Sequence, residues 1–153
     1  MKRLAIFLCV FVLLLSLTGC FVNSRTDSIL DSLGKYDSKQ HWTSGEFQDY
    51  TDFGIYVYPY IDLTETPYFA PISSDDITTI CEYLDDFDKW IAIHQEQSPN
   101  DELVINYAFD RSIIDTTDCF YIYANRNGAI LFDYDVWFLD MQTNTLYYFH
   151  NNI

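Results

Sequence analysis

The sequence predicts an α+β fold: a mostly antiparallel sheet of about five strands, one long amphipathic helix packed on one face, and a short N-terminal helix. Three observations carry this prediction. One run repeats apolar residues at helical spacing, strand-like segments rich in Tyr, Val, Ile and Phe lie on both sides of it, and short polar turns join the later segments. With 153 residues, 49% of them hydrophobic, the chain is large enough for one domain with a real core.

Two helices are predicted. The short one begins at Ser24 or Thr26, carries Ile29, Leu30 and Leu33 on one side, and ends at Gly34. The long one begins after a Ser73 cap, with acidic residues in its first turn, and ends before Ser98-Pro99. Its core-facing stripe consists of Ile77, Ile80, Cys81, Leu84, Phe87, Ile91 and His94.

Alternation of apolar and polar residues predicts the strands. The five segments are Phe47 to Tyr60, Leu103 to Ile114, Cys119 to Asn125, Ile130 to Asp140, and Thr145 to Asn151. A turn at Asp115-Thr116-Thr117-Asp118 joins the second and third segments, and a turn through Thr143-Asn144 joins the last two. The second turn pairs Asp140 with Thr145, which places Asp135 opposite His150.

The predicted sheet has aromatic residues on both faces. The core face, which meets the long helix, holds Phe53, Ile55, Val57, Ile105, Tyr107, Phe109, Phe120, Ile122, Tyr134, Val136, Phe138, Tyr147 and Phe149. The other face holds Tyr56, Tyr58, Tyr60, Tyr121, Tyr123, Trp137 and Tyr148, together with Asp110, Asp133 and Asp135. A water-facing sheet surface is normally polar, so these rings need an explanation.

Two explanations account for the aromatic residues on the second face of the sheet. In one, loops and the N-terminal segment, including Trp42 and Phe47, cover it and make a second small core. In the other, the rings and carboxylates form a ligand-binding platform that stacks on cell-wall sugars or holds a cationic peptide. The candidate ligand-binding residues are Tyr56, Tyr58, Tyr60, Tyr121, Tyr123, Trp137, Tyr148, Asp133 and Asp135.

Signals for catalysis are weak. A His beside a carboxylate, as expected for His150 and Asp135, is half of a general-base pair, but no motif supplies a nucleophile and the simplest interpretation is a surface ion pair. We therefore expect no enzymatic activity and assign no catalytic residue. The scattered His41, His94 and His150 do not match a zinc pattern, and no cofactor motif is present, so neither a metal nor a cofactor is expected.

The cysteines are expected to be unbridged. Cys81 falls on the core-facing helix stripe and Cys119 on the opposite face of the sheet, so a disulfide between them would have to pass through the sheet. Two free, mostly buried thiols are the prediction.

The N-terminus carries the most specific motif of the chain. Basic Lys2 and Arg3 precede an apolar run from Leu4 to Leu15, and the stretch ends in Leu17-Thr18-Gly19-Cys20. This arrangement resembles the signal peptide and lipobox of bacterial lipoproteins. The resemblance implies cleavage before Cys20 and attachment of a diacylglyceryl group, with fatty acyl chains such as palmitate, to its sulfur. It predicts a signal peptide over 1–19, a lipidated cysteine with short tether and helix over 20–35, and one globular domain over 36–153.

The net charge of the chain limits the kinds of partner that it can bind. The whole chain carries −15, and the part from Cys20 has 6 basic and 23 acidic residues, a charge of −17. Phosphate-driven nucleic-acid binding is therefore excluded. The expected function is a lipid-anchored extracytoplasmic domain on the cell membrane that binds a cationic peptide, a cell-wall glycan or an envelope protein. The alternatives are a small envelope hydrolase using Asp135 and His150, or an accessory subunit of a membrane complex.

Overall fold

The computed structural model describes residues 25–46, 49–64, 66–127 and 130–152. Cys20 and the rest of the lipobox lie outside these ranges, so the signal peptide, the lipidation site and the domain boundaries stay predictions. No helix in the ranges is both long enough and apolar enough to span a bilayer.

The described chain has an α+β fold built on one antiparallel sheet of six strands, rather than about five. The strands are β1 (Ser38–Glu46), β2 (Asp49–Val57), β3 (Ala70–Pro71), β4 (Cys119–Asn127), β5 (Ile130–Asp140) and β6 (Thr145–Asn152). Their order across the sheet is β1-β2-β6-β5-β4-β3. The helices are α1 (Arg25–Ser32), α2 (Ser74–Gln97) and α3 (Glu102–Asn106), followed by a 3₁₀ turn at Arg111–Ile113.

Helix α2 follows the prediction closely. Ser73 caps it in a capping box: the Asp76 backbone N–H donates to the Ser73 hydroxyl, and the Ser73 N–H donates to the Asp76 carboxylate. The predicted stripe packs on the sheet, where the rings of Phe87 and Phe149 lie 5.4 Å apart, edge to face. The buried side chains of α2 are Ile80, Tyr83, Leu84, Phe87 and Ile91, of which only Tyr83 lies outside the predicted stripe.

One strand prediction is wrong, and a second is correct only over part of its length. The segment from Leu103 to Ile114 forms α3 and the 3₁₀ turn, because Asp101 and Asp110 accept hydrogen bonds from the backbone two residues on and so start helical turns. Ile105, expected in the core, is consequently 63% exposed. The segment from Phe47 to Tyr60 contributes only β2, which pairs with β1, a polar edge strand that alternation does not reveal.

The C-terminal hairpin is confirmed. Asp140 pairs with Thr145, and the Asp135–His150 pairing follows from that register. The predicted hairpin between Leu103–Ile114 and β4 does not form; β4 pairs instead with β5. Cys81 and Cys119 are both free, as predicted.

A core lies on each side of the sheet. The first, under α2, contains Phe53, Tyr134, Val136, Phe138 and Phe149 and takes in Trp42, which stacks on Phe53. The second contains Tyr56, Tyr58, Trp137, Leu139, Leu146 and Tyr148. Ile29 of α1 and Leu33, just after the helix, cover it together with Ile61 of the loop that follows β2. The covered-face explanation is therefore the one the structure shows, although Trp42 belongs to the opposite core and Phe47 lies outside the described residues.

Candidate functional site

A buried carboxylate organises the polar part of the second face. Asp135, on β5, accepts three hydrogen bonds: from His150 Nδ1 at 2.8 Å, from the Tyr148 hydroxyl at 2.9 Å and from Arg25 Nη1 at 2.9 Å. It is only 4% exposed. Burial by itself raises the pKa of a carboxyl group, but these donors outweigh it and hold the pKa of Asp135 below its usual value. Asp135 is therefore ionised at neutral pH.

The negative charge of Asp135 determines that the ring nitrogen of His150 facing it carries a proton. An ionised carboxylate only accepts hydrogen bonds, so Nδ1 of His150 carries a proton, which it donates to Asp135. Nε2 is buried and has no partner among the described residues. Asp52 lies directly opposite His150 on β2, and its buried Oδ1 also lacks a hydrogen-bond donor in that part of the chain. Two neighbouring buried polar atoms thus lack hydrogen-bond partners among the described residues, although His41 Nε2 lies 3.7 Å from Asp52 Oδ1 as an ion-pair partner.

An open pocket of about 290 Å³ lies beside His150. We call it the acidic pocket. It is lined by Arg25, Thr26, Tyr50, Asp133, Asp135, Tyr148, His150 and Asn152. The Tyr50 ring packs 4.7 Å from the His150 ring, so one wall is aromatic. Burial, and then the charges of Asp52, Asp135 and Asp133, raise the pKa of Tyr50, which stays a neutral hydrogen-bond donor.

The chain's own Arg25 shows how this surface holds a cation. Its guanidinium lies 3.2 Å from the centre of the Tyr123 ring while it pairs with Asp135. Burial lowers the pKa of a guanidinium, yet the hydrogen bonds to Asp135 and Tyr123 raise the pKa of Arg25 above its usual value. The site is therefore built from a carboxylate and an aromatic ring, the two groups that recognise cationic side chains.

The predicted ligand residues are only partly brought together. Asp133, Asp135 and Tyr148 line the acidic pocket. Tyr56, Tyr58 and Trp137 are buried in the second core, Tyr121 and Tyr123 are half-buried, and Tyr60 is 71% exposed and lies away from the pocket. The predicted open platform of seven rings is therefore not present. The Asp135–His150 pair is confirmed in register but is buried, which corrects the expected surface ion pair.

A second polar network joins α2 to the sheet on the opposite face. His94 Nδ1 lies 3.1 Å from the Ser44 hydroxyl and Nε2 lies 3.0 Å from the Thr51 hydroxyl. Ser44 donates to Asp101 at 2.9 Å, and Thr51 donates to Asn151 at 2.8 Å. His94, predicted as the last member of the apolar stripe, thus ties the end of α2 to β1 and β2.

Sequence reasoning missed Arg25, Tyr50 and Asn152 as pocket residues. Arg25 precedes Asp135 by 110 positions, and no local pattern connects the two. The one available signal is the shortage of cations: only 6 basic residues occur from Cys20 onward, so each is a candidate partner for a buried acid.

Comparison with protein-family models, with curated proteins and with solved structures found no match to this chain. The geometry of the described residues therefore carries the functional argument.

Proposed function

We propose that this chain is a lipid-anchored, extracytoplasmic binding domain whose acidic pocket takes a cationic side chain of a peptide. It is held on the cell membrane by lipid on Cys20 and performs no catalysis. The observation that carries the proposal is the unpartnered Nε2 of His150, a buried ring nitrogen beside an acidic, aromatic-walled pocket.

The chemistry of the pocket fits an ammonium or guanidinium group. Such a group brings several N–H donors and a positive charge. Those donors can satisfy His150 Nε2 and Asp133, which accepts no hydrogen bond from the described residues, while the charge is balanced by the carboxylates. The charge of −17 on the chain from Cys20 attracts a cationic peptide from a distance.

A glycan ligand has less support than a cationic peptide. Stacking on sugar rings needs exposed aromatic faces, and Tyr56, Tyr58 and Trp137 are buried. An accessory role in a membrane complex remains an alternative, for which a co-purifying envelope protein is the sign.

The envelope hydrolase is the alternative from another class, and the Asp135–His150 pair favours it. The pair has the geometry of an oriented base, at 2.8 Å. No hydroxyl or thiol of the described residues lies within hydrogen-bonding distance of His150 Nε2. Hydrolysis of a peptide or glycan that disappears in His150→Ala would favour this alternative over binding alone.

Calorimetric titration with hexaarginine tests the binding proposal on the full chain in a non-ionic detergent. Asp133→Asn should weaken binding about fivefold, because it removes one charge pair worth on the order of 1 kcal/mol. Asp75→Asn removes the same charge on the far side of the sheet and should change affinity less than about twofold. Raising salt should weaken binding to the parent chain. Equal losses in the two variants, or no salt dependence, would overturn the proposal.

The anchor has a separate test. Cys20→Ala should move the protein from the membrane fraction to the soluble fraction, because no lipid is then attached. Retention in the membrane fraction would contradict lipid anchoring while leaving the pocket unaffected.

A further inference from the structure

A second pocket lies at the same end of the sheet, on the face that packs against α2. It measures about 210 Å³ and lies between the C-terminal part of α2 and the strands. Trp90 and Ile93 supply an apolar wall, and neither belongs to the buried members of the core; Ile93 is 37% exposed. The hydrogen bonds of His94 to Ser44 and Thr51 fix this wall against the sheet.

The floor of the second pocket contains an unused donor. Asn151 is fully buried, and its Oδ1 accepts a hydrogen bond from Thr51 at 2.8 Å. Its Nδ2 is buried without a partner among the described residues. A buried N–H group without an acceptor is costly, so the pocket suits a ligand that presents a carbonyl oxygen next to an apolar group. A peptide unit followed by an apolar side chain has this chemistry.

The two pockets meet at a shared ridge. Tyr50 and Asn152 line both of them and pair with each other across β2 and β6. The acidic pocket lies on the α1 side of this ridge and the second pocket on the α2 side. A chain passing over the sheet end beside Tyr50 therefore reaches both pockets.

From this arrangement we infer that the second pocket is a subsite for an apolar side chain of the same cationic peptide. The inference rests on the proposed function. The peptide's Arg or Lys enters the acidic pocket, its backbone crosses Tyr50, and an aromatic or large aliphatic side chain packs on Trp90 and Ile93. Asn151 Nδ2 donates to a peptide carbonyl at this point.

The spacing of the two side chains follows from sheet geometry. We take the path over the sheet end from one pocket to the other as about 10 Å, and an extended chain advances about 3.3 Å per residue. The cationic and apolar residues of the ligand are therefore about three positions apart. The ligand class is a cationic peptide with an apolar residue at this spacing, rather than any polycation.

The test compares acetylated, amidated tetrapeptides by NMR titration of the full chain in a non-ionic detergent, with protein-free micelles as blank. Arg-Ala-Ala-Trp should bind roughly tenfold tighter than Arg-Ala-Ala-Ala, because part of an indole is buried. Arg-Trp-Ala-Ala should lose most of that gain. Trp90→Ala should abolish the tenfold preference and leave affinity for Arg-Ala-Ala-Ala unchanged. The control, Ile105→Ala, removes an exposed apolar side chain outside either pocket and should keep the preference.

Each outcome is decisive. The subsite is overturned if Arg-Ala-Ala-Trp and Arg-Ala-Ala-Ala bind with equal affinity, or if the preference survives Trp90→Ala. In either case, binding that is weakened by Asp133→Asn still upholds the proposed function. Binding of Ala-Ala-Ala-Trp alone, lost in Trp90→Ala, upholds an apolar site but overturns both the proposed function and the shared ligand. No binding of any tetrapeptide overturns the subsite, and the proposed function is overturned with it when hexaarginine does not bind either.

Discussion

Removing one hydroxyl from the Asp135 cluster should cost a measurable part of the free energy of unfolding. Tyr148 donates to Asp135 at 2.9 Å, and both residues are buried. A hydrogen bond to a charged group contributes about 1.5–3 kcal/mol. In Tyr148→Phe the carboxylate keeps its donors from His150 and Arg25, so we expect the lower end, about 1.5 kcal/mol. The ring stays stacked on Trp137 at 4.0 Å, which preserves the packing.

Tyr58→Phe is the matched control. Tyr58 belongs to the same core and is 2% exposed, but its hydroxyl has no hydrogen-bond partner in the described part of the chain. Removing an unsatisfied buried hydroxyl should leave the free energy of unfolding unchanged or raise it by up to about 1 kcal/mol. The two variants make the same chemical change, so their difference measures the hydrogen bonds of the Tyr148 hydroxyl, which donates to Asp135 and accepts a long bond from Thr26 at 3.5 Å.

Urea denaturation followed by near-UV circular dichroism measures both variants. With a slope of about 2 kcal/mol per molar urea, Tyr148→Phe should lower the midpoint by about 0.7 M, and Tyr58→Phe should not lower it. If Tyr148→Phe is no more destabilising than Tyr58→Phe, the Asp135 cluster is not the organising feature of this face.

Two further predictions concern acid stability and backbone strain. The pKa of Asp135 is lower in the folded chain than in the unfolded one, so its contribution to the free energy of unfolding is complete above about pH 5. This contribution is lost as pH falls through the folded-state pKa. The difference in free energy of unfolding between the parent and Asp135→Asn, measured by urea denaturation at about pH 6 to 3, should therefore shrink, and a constant difference would refute the linkage. Gly34 and Gly45 both have positive φ, at 84° and 110°, but of these two only Gly45 has backbone, the Asp49 carbonyl oxygen, where an added Cβ would lie. Gly34→Ala should therefore cost about 1 kcal/mol and Gly45→Ala clearly more, as the melting temperatures will show; equal losses would contradict the geometry.

Where local signals agreed with tertiary packing, the sequence predicted the fold correctly. The Ser73 cap, the acidic first turn and the apolar stripe of α2 all favour the same helix. The turn before Thr145 sets the pairing of β5 with β6, and the Asp135–His150 pair follows from it. The short helix ending near Gly34 is confirmed for the same reason, since a positive φ suits glycine.

The failures arose where local alternation and local hydrogen bonding favour different structures. Tyr107 and Phe109 do pack against the first core, so their apolar character was interpreted correctly, but Asp101 and Asp110 start helical turns that alternation cannot reveal. Strand β1 is polar because it lies at the sheet edge, and its signal is correspondingly weak.

The candidate site was only partly predictable. Register alone placed Asp133, Asp135, Tyr148 and His150 on one face of the sheet. The remaining pocket residues depend on how α1 docks, because Arg25 reaches Asp135 only when Ile29 and Leu33 are buried on the aromatic face. Docking of this kind is a tertiary property that no short stretch of sequence encodes.

Nitrogen-15 chemical shifts of the His150 imidazole test the central claim most directly. In the free protein Nδ1 should carry a proton, because Nδ1 donates to Asp135. Adding hexaarginine should shift the Nε2 resonance as it accepts a hydrogen bond from the ligand, and Asp133→Asn should require a higher peptide concentration for the same shift. Saturating peptide that leaves Nε2 unchanged, or a free protein in which Nδ1 carries no proton, would contradict the proposed cation site.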